Sequence, residues 1–127
     1  MHQTIQNLHS ADLETRIEAV GELMVGGPDY RGVAHEALFA LADEDEEVRE
    51  QIVGFLEELG PPVPSALALL IENCTANDDL VAYWSLTLIG RLGPDAASAR
   101  DICQQVANDA SRGPEVRRRA NWASEQM

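Results

Sequence analysis

The apolar positions of this chain recur in steps of three and four, and that spacing is helical. Between Asp45 and Gly60, Val48, Ile52, Phe55, Leu56 and Leu59 fall at these steps. Asp45 stands where an N-cap is expected, and Glu46 and Glu47 suit the positive end of a helix dipole. Gly60 stands where a left-handed cap closes a helix, and Pro61 forbids its continuation. Strand signals are missing: the chain has no alternating Val/Thr/Tyr run and no Asn-Gly or Asp-Gly hairpin turn.

The pattern repeats every 33 residues. Gly-Pro occurs at Gly27-Pro28, Gly60-Pro61 and Gly93-Pro94. Asp12, Asp45 and Asp78 share this register, as do Val20, Val53 and Leu86, and Leu23, Leu56 and Ile89. A fourth, degenerate copy follows if two residues are inserted near Ser111 to Gly113, which places Val116, Arg117 and Ala120 under Val48, Arg49 and Ile52. A second apolar helix is expected in each period, through Ile5 and Leu8, Leu38 and Leu41, Ile71 and Cys74, and then Ala99, Ile102, Cys103 and Val106. A fixed period of this length marks a stack of helix pairs. The expectation is a single all-α domain over 1–127, a right-handed α-solenoid of about four helix pairs at 1–27, 28–60, 61–93 and 94–127.

The stretch Asp45-Glu-Glu-Val-Arg-Glu-Gln-Ile-Val-Gly-Phe-Leu-Glu-Glu-Leu-Gly60 resembles the second helix of a HEAT repeat, closest to the short bacterial type also found in phycobilin lyases. Leu13 to Leu23 and Pro114 to Ala120 are weaker copies. The resemblance implies an Asp and an Arg pairing along the stack at the start of this helix, which Asp12 with Arg16 and Asp45 with Arg49 match. Ala82 stands where the third Arg is expected, so a break in the ladder is expected there.

Charge narrows the function. The chain has 22 acidic and 9 basic residues, all nine arginine, for a formal net charge of −13. Without lysine there is neither a P-loop nor amine-based covalent chemistry. The acidity disfavours nucleic acid and anionic lipid surfaces as partners. No stretch has the length of a membrane span, and the first residues carry no secretory pattern. Two cysteines build no disulfide framework, so Cys74 and Cys103 are expected to be reduced core residues of a cytoplasmic protein. The acids concentrate in residues 1–58, 14 of them against three arginines, whereas 110–127 holds four arginines and two acids. A charge asymmetry along the molecule follows. Adaptation to high salt would account for the acidity without any partner.

No catalytic constellation stands out, and no cofactor is expected. His35-Glu36 is the single His-Glu pair, and a metal centre needs several such ligands converging. The second helices offer something else. Laid out at about 100° per residue, their outward faces hold Glu47, Glu50 and Glu57 in the second period, Tyr83 and Trp84 in the third, and Arg118, Arg119 and Trp122 in the fourth. Trp, Tyr and Arg dominate protein-interface hot spots. The expectation is therefore a non-enzymatic scaffold that holds a protein or peptide with a basic patch on this concave face. A phycobilin-lyase-like, chromophore-handling subunit is the alternative that the resemblance implies, and a HEAT-like DNA glycosylase is disfavoured by the acidity. Burial of Trp84 or Tyr83 between repeats, or Trp122 closing the end of the stack, is the competing reading of these aromatics.

Overall fold

The computed structural model describes residues 2–127. Its regular structure is all helical, with no strand among the described residues. Seven α-helices run in order: α1 His2–Asn7, α2 Leu13–Gly26, α3 Glu46–Leu59, α4 Leu67–Asn73, α5 Asp79–Leu92, α6 Arg100–Ala107 and α7 Pro114–Glu125. Tighter 3₁₀ segments occupy Gly27–Tyr30, Ala34–Ala42, Pro64–Ala66 and Gly93–Ala99. The chain groups into two compact units, Met1–Gly60 and Pro61–Met127, and the second Gly-Pro marks the boundary. No helix of the described residues is long and apolar enough to cross a membrane.

The punctuation expected from the 33-residue period is built in atomic detail. Asp12, Asp45 and Asp78 all N-cap the helix that follows: their carboxylates accept from the backbone N–H of Thr15, of Val48, and of Leu80 and Val81 respectively. Each cap satisfies a donor that the first turn of a helix leaves unpaired. The Thr15 hydroxyl also donates to Asp12, and this bond holds the Asp12 carboxyl below its ordinary range. At the other end, Gly27, Gly60 and Gly93 have φ of 48°, 77° and 61°.

Their ψ values of −119°, −153° and −134° depart from the left-handed cap that the sequence suggested. Positive φ with so negative a ψ resembles the first central residue of a II′ turn and borders a region that only glycine populates readily. Nothing lies within 4 Å of a Cβ placed on Gly60. Gly60→Ala is therefore expected to cost about 1–2 kcal/mol through backbone strain alone. Urea denaturation followed by circular dichroism measures it, and an unchanged midpoint would refute the strain.

In the first unit the core forms where α1, α2, the 3₁₀ segment Ala34–Ala42 and α3 meet. Leu8, Leu23, Leu38, Leu41, Ile52, Phe55 and Leu56 are its large, fully buried side chains. The segment expected as an α-helix through Leu38 and Leu41 is a nine-residue 3₁₀ helix. Its alanines at 34, 37 and 40 are buried at intervals of three, which the three-residue turn places in line.

The arginine ladder is real but differs from the expected pairing. Arg16 lies 3.0 Å from the Asp43 carboxylate and donates to the Ser10 carbonyl at 2.9 Å, while Arg49 donates to the Asp43 carbonyl at 2.6 Å. Each Arg thus closes the loop before its own helix, and Asp43 links two successive loops. Asp12 and Asp45 are occupied as caps.

In the second unit α5 lies against both α4 and α7, and α6 packs on α7. The carbonyl of Ala76 occupies the loop position of Ser10 and Asp43 in the 33-residue register. Ala82 has no guanidinium to reach it, yet the position is not empty. Arg112, from the loop before α7, donates to Ala76 at 2.7 Å and to the Asp79 carboxylate at 3.2 Å. The rung expected to be broken at Ala82 is supplied from the next loop.

Candidate functional site

The facing residues of α5 and α7 bring most of the expected aromatic and arginine positions together. Arg119 is clamped between two rings, with its Cζ 4.8 Å from the centroid of Tyr83 and 4.7 Å from that of Trp122. Its Nη2 donates to the Tyr83 hydroxyl at 2.7 Å. A guanidinium over an aromatic face is attracted by the ring quadrupole, and contact with two rings together with the hydroxyl bond restricts its movement. The stack forms because Gly90 offers the Trp122 indole bare backbone. A Cβ placed on Gly90 would lie 2.2 Å from Cζ3 of Trp122.

Trp84 is the correction among the site residues. It is only 7% exposed and belongs to the core, not to an open face. α5 has neighbours on both sides, and ten of its residues are buried, Thr87 and Gly90 among them. Trp84 still supports the site from beneath, edge-on to Tyr83 at 5.8 Å with Arg91 above its own ring. Tyr83, Arg119 and Trp122 are half-buried at the surface, and Arg118 is exposed in an ion pair with Glu115.

Tyr83, Arg118, Arg119, Trp122 and Glu115 line a groove of about 270 Å³. Tyr83 and Glu115 also border a mostly apolar cleft of about 460 Å³ between the N-terminal ends of α5 and α7, walled by Leu80, Pro114 and Val116. Leu80, Pro114 and Val116 were not among the expected site residues. Arg112, expected only as part of a basic tail, anchors the rim of this cleft through Asp79.

The carboxylates Glu47, Glu50 and Glu57 lie in the first unit, exposed along α3. No ion pair joins them among the described residues. In the same unit Val25 is 91% exposed at the end of α2, beside Glu18, Glu22 and Asp29. Glu22 accepts the hydroxyl of buried Thr4 at 2.7 Å. His35 is half-buried, and desolvation holds its imidazole below the ordinary value. No cluster of three or more His, Cys, Asp or Glu side chains suited to a metal ion occurs among the described residues.

Cys74 and Cys103 are both fully buried and free, as the apolar pattern suggested. Burial pushes their thiols from 9.0 up to about 11 and about 12. The thiolate is the reactive species, so both are expected to be silent to a thiol reagent at pH 8 until the chain unfolds. Absorbance with Ellman's reagent, with and without urea, tests this, and prompt reaction of either thiol in the native protein would contradict it. The unfolded chain releases these protons first, so their contribution to stability is present below pH 9 and is lost as pH rises toward the folded values.

A scan against protein-family models gives no match, and a search of the curated proteins gives none either.

Proposed function

We propose that this protein is a short HEAT-like α-solenoid with no catalytic activity, which holds a segment of a partner protein on the face formed by its second helices. The observation that carries this reading is the pair of aromatic rings, Tyr83 and Trp122, that both contact Arg119 at the surface. Interfaces concentrate their binding energy in such residues because they present large, rigid area at small entropic cost. The apolar cleft beside them adds a place for a partner side chain. The 33-residue period, with its three Asp caps and three Gly-Pro ends, supports the solenoid. Such stacks present extended surfaces suited to polypeptide ligands.

The exposed carboxylates of α3 fit a partner whose remaining surface is basic. The two unpaired thiols fit a reducing, cytoplasmic setting. A protein captured from native lysate by the wild type should be lost with the double variant Trp122→Ala, Arg118→Ala, while far-ultraviolet circular dichroism stays unchanged. Capture by the folded double variant would remove the site from α5 and α7.

A further inference from the structure

Arg119 is the guanidinium of this site without an acidic partner. Asp79 is taken by Arg112 at 3.2 Å, and Glu115 by Arg118. Arg119 makes one hydrogen bond, to the Tyr83 hydroxyl, and no ion pair among the described residues. A guanidinium carries five N–H donors in a rigid fork that matches a carboxylate. The rings of Tyr83 and Trp122 both lie within 5 Å of its Cζ, and its N–H donors lie in the guanidinium plane, one of them taken by the Tyr83 hydroxyl. That plane lines the groove, and the groove meets the apolar cleft at Tyr83 and Glu115.

We infer that the partner segment is acidic and aliphatic: an Asp or Glu side chain received by Arg119, with an aliphatic residue a few positions away seated against Leu80, Pro114 and Val116. This inference rests on the protein-binding reading above and names the chemistry of its ligand. Charge complementarity carries the choice. The guanidinium is preoriented and unneutralised, so a carboxylate meets a site whose ordering is already complete. The chain as a whole is at −13, which repels a polyanion but only weakly opposes a single carboxylate set among neutral apolar residues.

The test is selection of a phage-displayed library of random 12-residue peptides on the full-length wild-type protein. Binding of the enriched peptides is then measured by fluorescence polarisation, and their footprint is mapped by amide chemical shifts. The expected result is enrichment of an Asp or Glu near an aliphatic residue, with shifts in α5 and α7. Affinity should fall about ten- to hundredfold in Arg119→Gln, the range for a hydrogen bond to a charged group, and part of it should return in Arg119→Lys. Melting curves of both variants separate lost binding from lost folding, and replacing the acid in the peptide by its amide gives the same comparison without touching the protein. Peptides that map to α5 and α7 but carry no acid, or that bind Arg119→Gln as tightly as wild type, overturn the carboxylate assignment and leave the protein-binding reading standing. Peptides that shift only other residues, or a selection that enriches none, overturn both.

Discussion

Asp43→Ala is expected to destabilise the protein by about 2–4 kcal/mol, near the lower end of the cost of breaking a buried ion pair. Asp43 holds three groups at once. Oδ2 lies 3.0 Å from Nε of Arg16, Oδ1 accepts the Asp45 N–H at 2.9 Å, and its carbonyl accepts from Arg49. The side chains of Arg16 and Asp43 are only 11% and 9% exposed. Alanine keeps the carbonyl but leaves a nearly buried guanidinium with only neutral carbonyl partners close by. Glu44, 4.0 Å from Arg16 and exposed, compensates weakly, which is why the value falls short of the full cost of a buried orphan charge. Asp43→Asn retains an acceptor for Asp45 and should recover roughly half of the loss, in line with about 1 kcal/mol for a neutral hydrogen bond. Urea denaturation of the three proteins measures the series. A cost below about 1 kcal/mol for alanine would mean that the rung carries no net stabilisation.

Gly90→Leu is the second large effect, a loss of about 2–3 kcal/mol from overpacking against Trp122. Leucine is a much better helix former than glycine, so propensity alone would stabilise α5 by close to 1 kcal/mol. The clash must exceed that gain. It does so because the indole sits where the first carbon of any side chain would go, 2.2 Å from Cζ3 and 2.7 Å from Cη2. The ring has to leave, and Arg119 then loses one wall of its clamp. Trp122 emission should shift to longer wavelength and the affinity for partner should fall with it. Gly21→Ala supplies the opposite sign, since nothing lies within 4 Å of its added carbon. It should stabilise α2 by about 0.5–1 kcal/mol. Equal effects of the two substitutions on the denaturation midpoint would refute the packing argument.

The helix ends were legible because their causes are local. An Asp cap and a Gly-Pro stop act within a turn of their own position, and all three copies form as the register indicates. The ladder was half legible. Arg16 and Arg49 serve their own loops, but the substitute at Ala76 comes from Arg112, 36 residues away, and no periodic alignment points to it. The 3₁₀ character of Ala34–Ala42 was hidden because apolar steps of three suit both helix types. The aromatic positions divided for a similar reason. Angle around a helix reports which direction Trp84 and Trp122 face, not how far a neighbouring helix reaches across them. α5, flanked on both sides, lost Trp84 to the core, and α7 kept Trp122 at the surface.

Counted from the N-cap, Met24 and Gly90 share position 12, and Gly54 and Trp122 share position 9. In the first unit the large side chain comes from position 12, with the end of Met24 3.4 Å from the carbon that would extend Gly54. In the second the sizes are exchanged, and Trp122 fills the space above Gly90. The two helix pairs are therefore lock and key of opposite hand, and their halves are not interchangeable. A chimera joining α2 to α7 would drive methionine into indole. One joining α5 to α3 would set glycine against glycine and leave a hole. Sequence periodicity suggests parts that can be shuffled freely, but at this one contact each helix carries the identity of its own mate.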